Sequence, residues 1–444
     1  MMGSTPLFGD PADGCLWLGV TLILLSVAAL WRHVRDGSLV SAAGGLHLNM
    51  FLFFGLGAVA YSLAPPSERG RDIMGAMAEA TWPLTLGYGI AVAWLYWSRR
   101  RAVDIQDRVE RDVMSIKPRL ILAFLTLALM GYLGSLSDIS ASGIGTIFPV
   151  LKMFWYPVAT LSVANATRRD ARSLLLLLLA LGIPSYFALL SGWRSELITV
   201  AGSIALGLAL RSRRWAVLSP VLAAGLVIVV LPFAHLKKVE YERVSADPVG
   251  AFAETLTMLP QERLLFAAEF WATRVSGARE LGYVAYTTNT GHIPLRGGES
   301  YVEALQQLVP RVLWSSKPSF NLGTNYYLAR ELGLLDWSDE STSWGINLYA
   351  EAAWNFGAVH LAWFVPLIFF LATVLDRQIT VRIRTAGVGW MTRAGLFFYT
   401  MAIVGLVNAM TFLLWLFIVS KTADTFVRAQ AGRHAAPRPQ NVRV

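Results

Sequence analysis

Residues Leu174–Leu190 read Leu-Leu-Leu-Leu-Leu-Leu-Ala-Leu-Gly-Ile-Pro-Ser-Tyr-Phe-Ala-Leu-Leu, seventeen positions without a charge. Leu361–Leu375, Leu-Ala-Trp-Phe-Val-Pro-Leu-Ile-Phe-Phe-Leu-Ala-Thr-Val-Leu, have the same character. Runs of this length and polarity are what a helix needs to cross hydrocarbon. The rest of the 444-residue chain agrees: 55% is hydrophobic and 15% charged, with a mean hydropathy of +0.50. A soluble domain carries roughly 25% charged residues. The expected fold class is therefore an all-α polytopic integral membrane protein. A cytoplasmic enzyme, a secreted domain and a disordered tail protein are excluded.

The single cysteine, Cys15, allows neither an intramolecular disulfide nor a cysteine-based metal centre within one chain. The six histidines show no H-x-x-x-H or H-E-x-x-H spacing, so no metal is expected. Residues 1–13 hold Asp10 and Asp13 but no Lys or Arg, and a cleavable signal would need a basic start. The first apolar stretch is expected to remain as an anchor.

Apolar spans fall at 14–31, 39–62, 74–97, 120–136, 143–165, 174–190, 195–210, 215–234, 345–374 and 394–420. Basic residues then assign sides. Arg32, Arg99, Arg168, Arg211 and Arg377 open or join basic groups in every second connection, and these connections hold 19 of the 38 Lys and Arg. Such a bias marks cytoplasmic connections, so the net charge of +9 records topology and not nucleic-acid binding. The longest opposite connection, 235–344, carries 10 Lys and Arg against 13 Asp and Glu and is expected outside the cytoplasm. The resulting organisation is an N-terminal membrane bundle of about eight helices over 1–234, an extracytoplasmic cap between helices 8 and 9 over 235–344, C-terminal membrane helices over 345–424, and a basic, disordered tail over 425–444. Ten crossings leave that basic tail outside. A hairpin at 394–420, bent near Asn408, gives eleven and returns it to the cytoplasm; otherwise the tail breaks the bias. Neither solenoid repeats nor inverted halves of the transporter kind are visible.

A connection this long is functional or disordered, and its aromatics, among them Trp271, Tyr301 and Trp314, argue for a folded cap. Leu264–Trp271 reads as an amphipathic helix lying against the bilayer. A second short helix is expected at Ser300–Leu308, with Glu299 and Ser300 favourable at its start. Three elements carry candidate chemistry. In Pro310-Arg311-Val312-Leu313-Trp314-Ser315-Ser316-Lys317-Pro318, two prolines bracket Arg311 and Lys317; these suit phosphate recognition, or headgroup anchoring in an ordinary interfacial loop. In Trp193-Arg194-Ser195-Glu196-Leu197, Arg194 either faces a polar cleft or snorkels. In Asn347–Asn355, the residues Asn347, Glu351 and Asn355 share one helical face beside Tyr349. That stripe serves either proton transfer, with Glu351 as a buried carboxyl, or helix–helix hydrogen bonding. Arg274 and Arg279 can reach a phosphate or face solvent. His292 and Arg296 lie in a Gly/Pro-rich stretch, Gly291–Gly298, suited to a mobile lid. His292 is a second candidate base, and Lys152 is an isolated membrane cation that snorkels or pairs with an acid such as Glu351.

This layout resembles the bacterial O-antigen and oligosaccharide repeat-unit polymerases (Wzy-like). The segment Trp193–Leu197 is similar to their R-x-x-hydrophobic element, and Val309–Pro318 followed by Tyr349–Gly357 is similar to the P-R-x-x-W-x-x-K-P … E-x-x-x-N-F-G end of their large loop. The resemblance implies a metal-independent glycosyltransferase of the inner membrane that needs no cofactor. It would transfer a growing glycan from undecaprenyl diphosphate to the next lipid-linked repeat unit. Its partners would be the lipid-linked donor and acceptor, membrane lipids and a chain-length regulator, with no nucleic acid. In this reading Arg194, Arg311, Glu351 and His292 are catalytic, and Lys317, Trp314, Arg274, Arg279, Tyr349 and Asn355 bind substrate. The first inter-span loop is basic and expected in the cytoplasm, so it does not supply the outer acidic residue found after the first span of metal-dependent lipid-linked glycosyltransferases. Alternatives are an O-antigen ligase, which shares the layout, and a non-enzymatic transporter or flippase of lipid-linked sugars.

Overall fold

The structure is a computed structural model. It describes residues 10–36, 38–63, 68–98, 118–135, 147–166, 171–191, 194–211, 222, 225, 232–233, 236, 240–272, 276–307, 309, 314, 316, 330–332, 346–383, 385–401 and 406–435. Among these the regular structure is helical, as expected from the apolar pattern. Helix α1 is Pro11–Arg35, and α2 is Ala42–Leu63 with a π-helical turn at Met50–Gly55. Then follow α3 (Glu68–Ser98), α4 (Pro118–Ser135), α5 (Ile147–Met153), α6 (Trp155–Asn165), α7 (Ala171–Ser191) and α8 (Arg194–Arg211). Among the described residues, α1, α2 and Ala358–Arg382 are long and apolar enough to cross a membrane. Shorter apolar helices lie at Arg119–Gly134, Ser173–Tyr186 and Thr199–Leu210. The expected span at 215–234 lies almost wholly outside the described residues.

The ends of these helices show why they stop and start where they do. Asp10 caps α1 by accepting from the Ala12 N–H at 2.9 Å, and Pro11 needs no such partner. At the other end Arg32 pairs with Asp36 at 2.9 Å, complementing the negative end of the helix. The N–H groups of Ala42 and Ala43 at the start of α2 are taken by the Asp376 carboxylate, at 2.9 and 3.3 Å. A residue more than 300 positions away thus closes the first turn of α2.

The region 235–344 contributes α9 (Tyr241–Ala246), α10 (Pro248–Thr257), α11 (Pro260–Phe270), α12 (Gly277–Asn289) and α13 (Glu299–Gln307). Part of it is set into the bundle instead of resting above it. Trp271 donates its indole N–H to the Leu52 carbonyl at 2.8 Å, within the π-helical turn of α2. Helix α12 packs along α3, and Gly282 permits the approach: a Cβ there would lie 2.8 Å from Met77 Cβ. The residues expected to form a surface-lying helix at Leu264–Trp271 span the end of α11 and its turn into α12. Lys152 lies over the Tyr132 ring at 4.8 Å.

The long span expected at 345–374 is two helices, α14 (Leu348–Phe356) and α15 (Leu361–Arg382). Gly357 at φ +88° makes the break, a conformation that L side chains rarely adopt. The apolar run at 394–420 likewise divides, into α16 (Ala386–Met401) and α17 (Leu406–Ala435). These two are antiparallel. Asp424 Oδ1 accepts from the Thr385 N–H at 2.8 Å, the Thr392 hydroxyl donates to Ser420 Oγ at 2.7 Å, and Tyr399 stacks on Phe412 at 3.8 Å. The expected hairpin is therefore present, but Asn408 falls inside α17 and not at the bend.

Two glycine substitutions test this packing. Gly282→Ala should lower stability by about 1–3 kcal/mol through overpacking against Met77. Gly89→Ala in α3, where a Cβ meets nothing within 4 Å, should raise it by roughly 0.5–1 kcal/mol through helix propensity. Unfolding of the purified protein in detergent distinguishes the two; equal effects would contradict the α3–α12 contact.

Candidate functional site

Helix α14 is short, wholly buried from Leu348 to Asn355, and polar at Asn347, Glu351 and Asn355. Buried polar groups are costly unless paired, and here each finds partners on the region 276–300. Asn347 caps α14: its Oδ1 accepts from the N–H groups of Tyr349 and Ala350 at 3.1 and 2.9 Å. Its Nδ2 donates to Glu280 Oε2 at 2.7 Å and to the Gly277 carbonyl at 3.2 Å, and its backbone N–H reaches the same Glu280 oxygen at 3.1 Å. Glu280 thus lies at the positive end of α14, where a carboxylate is favoured.

One turn on, Glu351 Oε1 accepts from the Ser300 hydroxyl at 2.8 Å. Asn355 Nδ2 donates to Ser300 Oγ at 2.7 Å and to the Glu351 carbonyl at 2.9 Å, while Asn355 Oδ1 accepts from the Gly298 N–H at 3.1 Å. The turn at 291–298 completes the helix end. Arg296 and Gly297 donate backbone N–H groups to the carbonyls of Trp354 and Asn355 at 3.2 and 2.9 Å. Gly297 and Gly298 take positive φ, +58° and +95°, to present these donors in sequence. The stretch expected to be a mobile lid is docked on α14 through its backbone. Ser300 lies inside α13, and its hydroxyl serves Glu351.

The surroundings are aromatic. Tyr301 stacks at 6.3 Å on Phe364 and contacts Phe356 at 5.6 Å. Its hydroxyl is buried and has no hydrogen-bond partner among the described residues. Burial, reinforced by the Glu351 charge, pushes the Tyr301 phenol up, so it remains a proton donor at ordinary pH. The Arg296 guanidinium lies over Trp354 at 5.3 Å. Chemically, this is a carboxylate bonded to a serine hydroxyl, with a buried phenol on the same helix as that serine.

The expected site residues fall into three groups. Glu351 and Asn355 meet in one network. Arg279 stands near the α12 end of α14, stacked on Tyr283 at 5.1 Å, with its Nη2 donating to the Tyr283 hydroxyl at 3.2 Å. Tyr349 is fully buried, edge-on to Phe54 at 5.3 Å, in a packing position. His292 is exposed on the docked turn and outside the Glu351 network, and Trp314 is partly buried. Arg194 begins α8. Arg274, Arg311 and Lys317 lie outside the described residues. Glu280 follows Arg279 in the sequence with nothing local to single it out; its role depends on Asn347, 67 positions away. Ser300 was legible only as a helix-start residue. Among the described residues no cluster of three or more His, Cys, Asp or Glu could hold a metal.

The Asn347–Glu280 contact makes a prediction that capping alone does not. Asp caps helices as well as Asn, but Asn347→Asp would set a second carboxylate against Glu280. It should destabilise the protein at neutral pH by about 1–3 kcal/mol, and acidification should recover part of that loss. Melting in detergent as a function of pH measures both. Comparison with known proteins adds no relative: no family model, curated protein or solved structure matches this chain.

Proposed function

We propose that this chain is a multi-pass inner-membrane glycosyltransferase that polymerises polyprenyl-diphosphate-linked oligosaccharide repeats at the outer membrane face. The observation that carries this reading is the Glu351 carboxylate. It is 6% exposed, set on a polar helix and anchored by Ser300. Its retention in an apolar bundle is costly, and ionisable groups at membrane depth mark functional sites. The crossing pattern belongs to the same proposal: with α16 and α17 as separate helices, the charge bias yields eleven crossings and a cytoplasmic C-terminus.

The chemistry follows from the groups available. Glu351 takes the proton of an acceptor sugar hydroxyl as that oxygen bonds to the anomeric carbon of the donor. The anomeric C–O bond breaks, and its electron pair leaves with the lipid diphosphate. Arg194, Arg311 and Lys317 supply the positive charge that this departure requires. Arg279 is a further cation on the same side as the Asn347 end of α14, and Trp314 and Tyr301 offer surfaces and a donor to the sugars. The asymmetry of the large loop favours an enzyme over a flippase, which would need outer cations but no buried base.

The test is genetic. In a source strain lacking the gene, surface polysaccharide should fall to single capped repeats and be restored by the wild-type copy. Arg194→Ala, Arg311→Ala and Glu351→Gln should each fail to restore long chains at normal membrane abundance, a loss of at least about 100-fold for the base. Unchanged chain length on deletion refutes polymerisation. Loss of all surface repeats, single ones included, identifies a flippase. Polymerised chains that never reach lipid A identify a ligase.

A further inference from the structure

We propose that Ser300 is a positioning residue that sets the orientation of the Glu351 carboxylate; this rests on the reading of Glu351 as the base. The hydrogen-bond directions in the network are determined by its fixed members. The Glu351 carbonyl can only accept, so the Asn355 atom 2.9 Å from it is the amide nitrogen. The Gly298 N–H can only donate, so the Asn355 atom 3.1 Å from it is the amide oxygen. Asn355 therefore presents an N–H to Ser300 Oγ at 2.7 Å, and Ser300 accepts there. A hydroxyl has one proton, and with Glu351 in the ionised form that a base requires, the contact to its Oε1 at 2.8 Å receives it. The chain of donation runs one way, from Asn355 through Ser300 to Glu351.

This direction has a chemical consequence. A hydroxyl that donates to one oxygen of a carboxylate fixes the plane of the group. Ser300 is 1% exposed and Asn355 1%, so neither bond is exchanged for water. The arrangement also links the carboxylate to the docked turn, because Gly298 and Ser300 are two residues apart and both bond Asn355. Ser300 itself exchanges no proton with substrate. Among the described residues, Tyr301 on α13 and Tyr399 on α16 lie within reach of the Glu351 charge.

The experiment pairs a spectroscopic readout with a cellular one, using the full chain. Infrared difference spectra of the purified protein, wild type against Glu351→Gln, isolate the Glu351 carboxylate band. Ser300→Ala and the nearly isosteric Ser300→Cys should shift that band, and Ser300→Thr, which keeps the hydroxyl, should not. In the deletion strain, the Ala and Cys variants should reduce long-chain polysaccharide about tenfold or more at wild-type abundance, and Thr should restore it. An unshifted band, or long chains undiminished in both Ala and Cys variants, overturns the proposal. If the band shifts but Glu351→Gln still polymerises, the contact is real and the base reading falls, taking the positioning role with it.

Discussion

A buried polar helix cannot be left unsatisfied, and that constraint organises the part of this protein around α14. Helix α14 brings Asn347, Glu351 and Asn355 into an interior where an unpaired amide costs a few kcal/mol and an unpaired carboxylate more. Neighbouring apolar helices cannot supply partners. The partners come from the region between 276 and 300: Glu280 and Gly277 at one end of α14, and Ser300 and Gly298 at the other. The large connection is therefore sunk into the bundle at α12, since α14 is satisfied only if α12 lies beside it.

The same constraint explains the glycines. The last carbonyls of α14 need donors, and a turn with successive N–H groups at 296 and 297 provides them only if 297 and 298 can take positive φ. Gly357, also at positive φ, then lets the chain leave α14 and begin α15. The C-terminal end of α14 is held by backbone conformations that few residues other than glycine adopt, and its N-terminal end by the Asn347 cap and Glu280. The carboxylate it carries is therefore fixed by the fold before any substrate arrives.

Helical class and the positions of most described apolar helices were legible in the sequence because they depend on local apolar content. The expected spans 39–62, 174–190 and 195–210 agree closely with α2, α7 and α8. The failures are instructive. At 345–374 and 394–420, continuous apolarity concealed breaks at Gly357 and between Met401 and Leu406, because a window average does not register one residue's φ or a reversal of direction. The polar stripe on α14 was legible from its spacing of four. Its partners were not, because Ser300 and Glu280 stand 51 and 67 positions away, and nothing local marks them. A serine at a helix start reads as a cap; only the fold turns its hydroxyl towards a carboxylate.

The cost of the Glu351 network bears on why it exists. An apolar replacement of a buried polar cluster is often as stable as the cluster itself, so stability alone does not account for a carboxylate held at this depth. A purely structural stripe would be served by amides, as Asn347 and Asn355 serve it. A carboxylate anchored by Ser300, with the buried Tyr301 phenol on the same helix as that serine, is instead an arrangement that the proposed proton transfer would use. The helix-bonding alternative reads the same Ser300–Glu351 contact as one more bond between helices, beside that of Asn355 to Ser300.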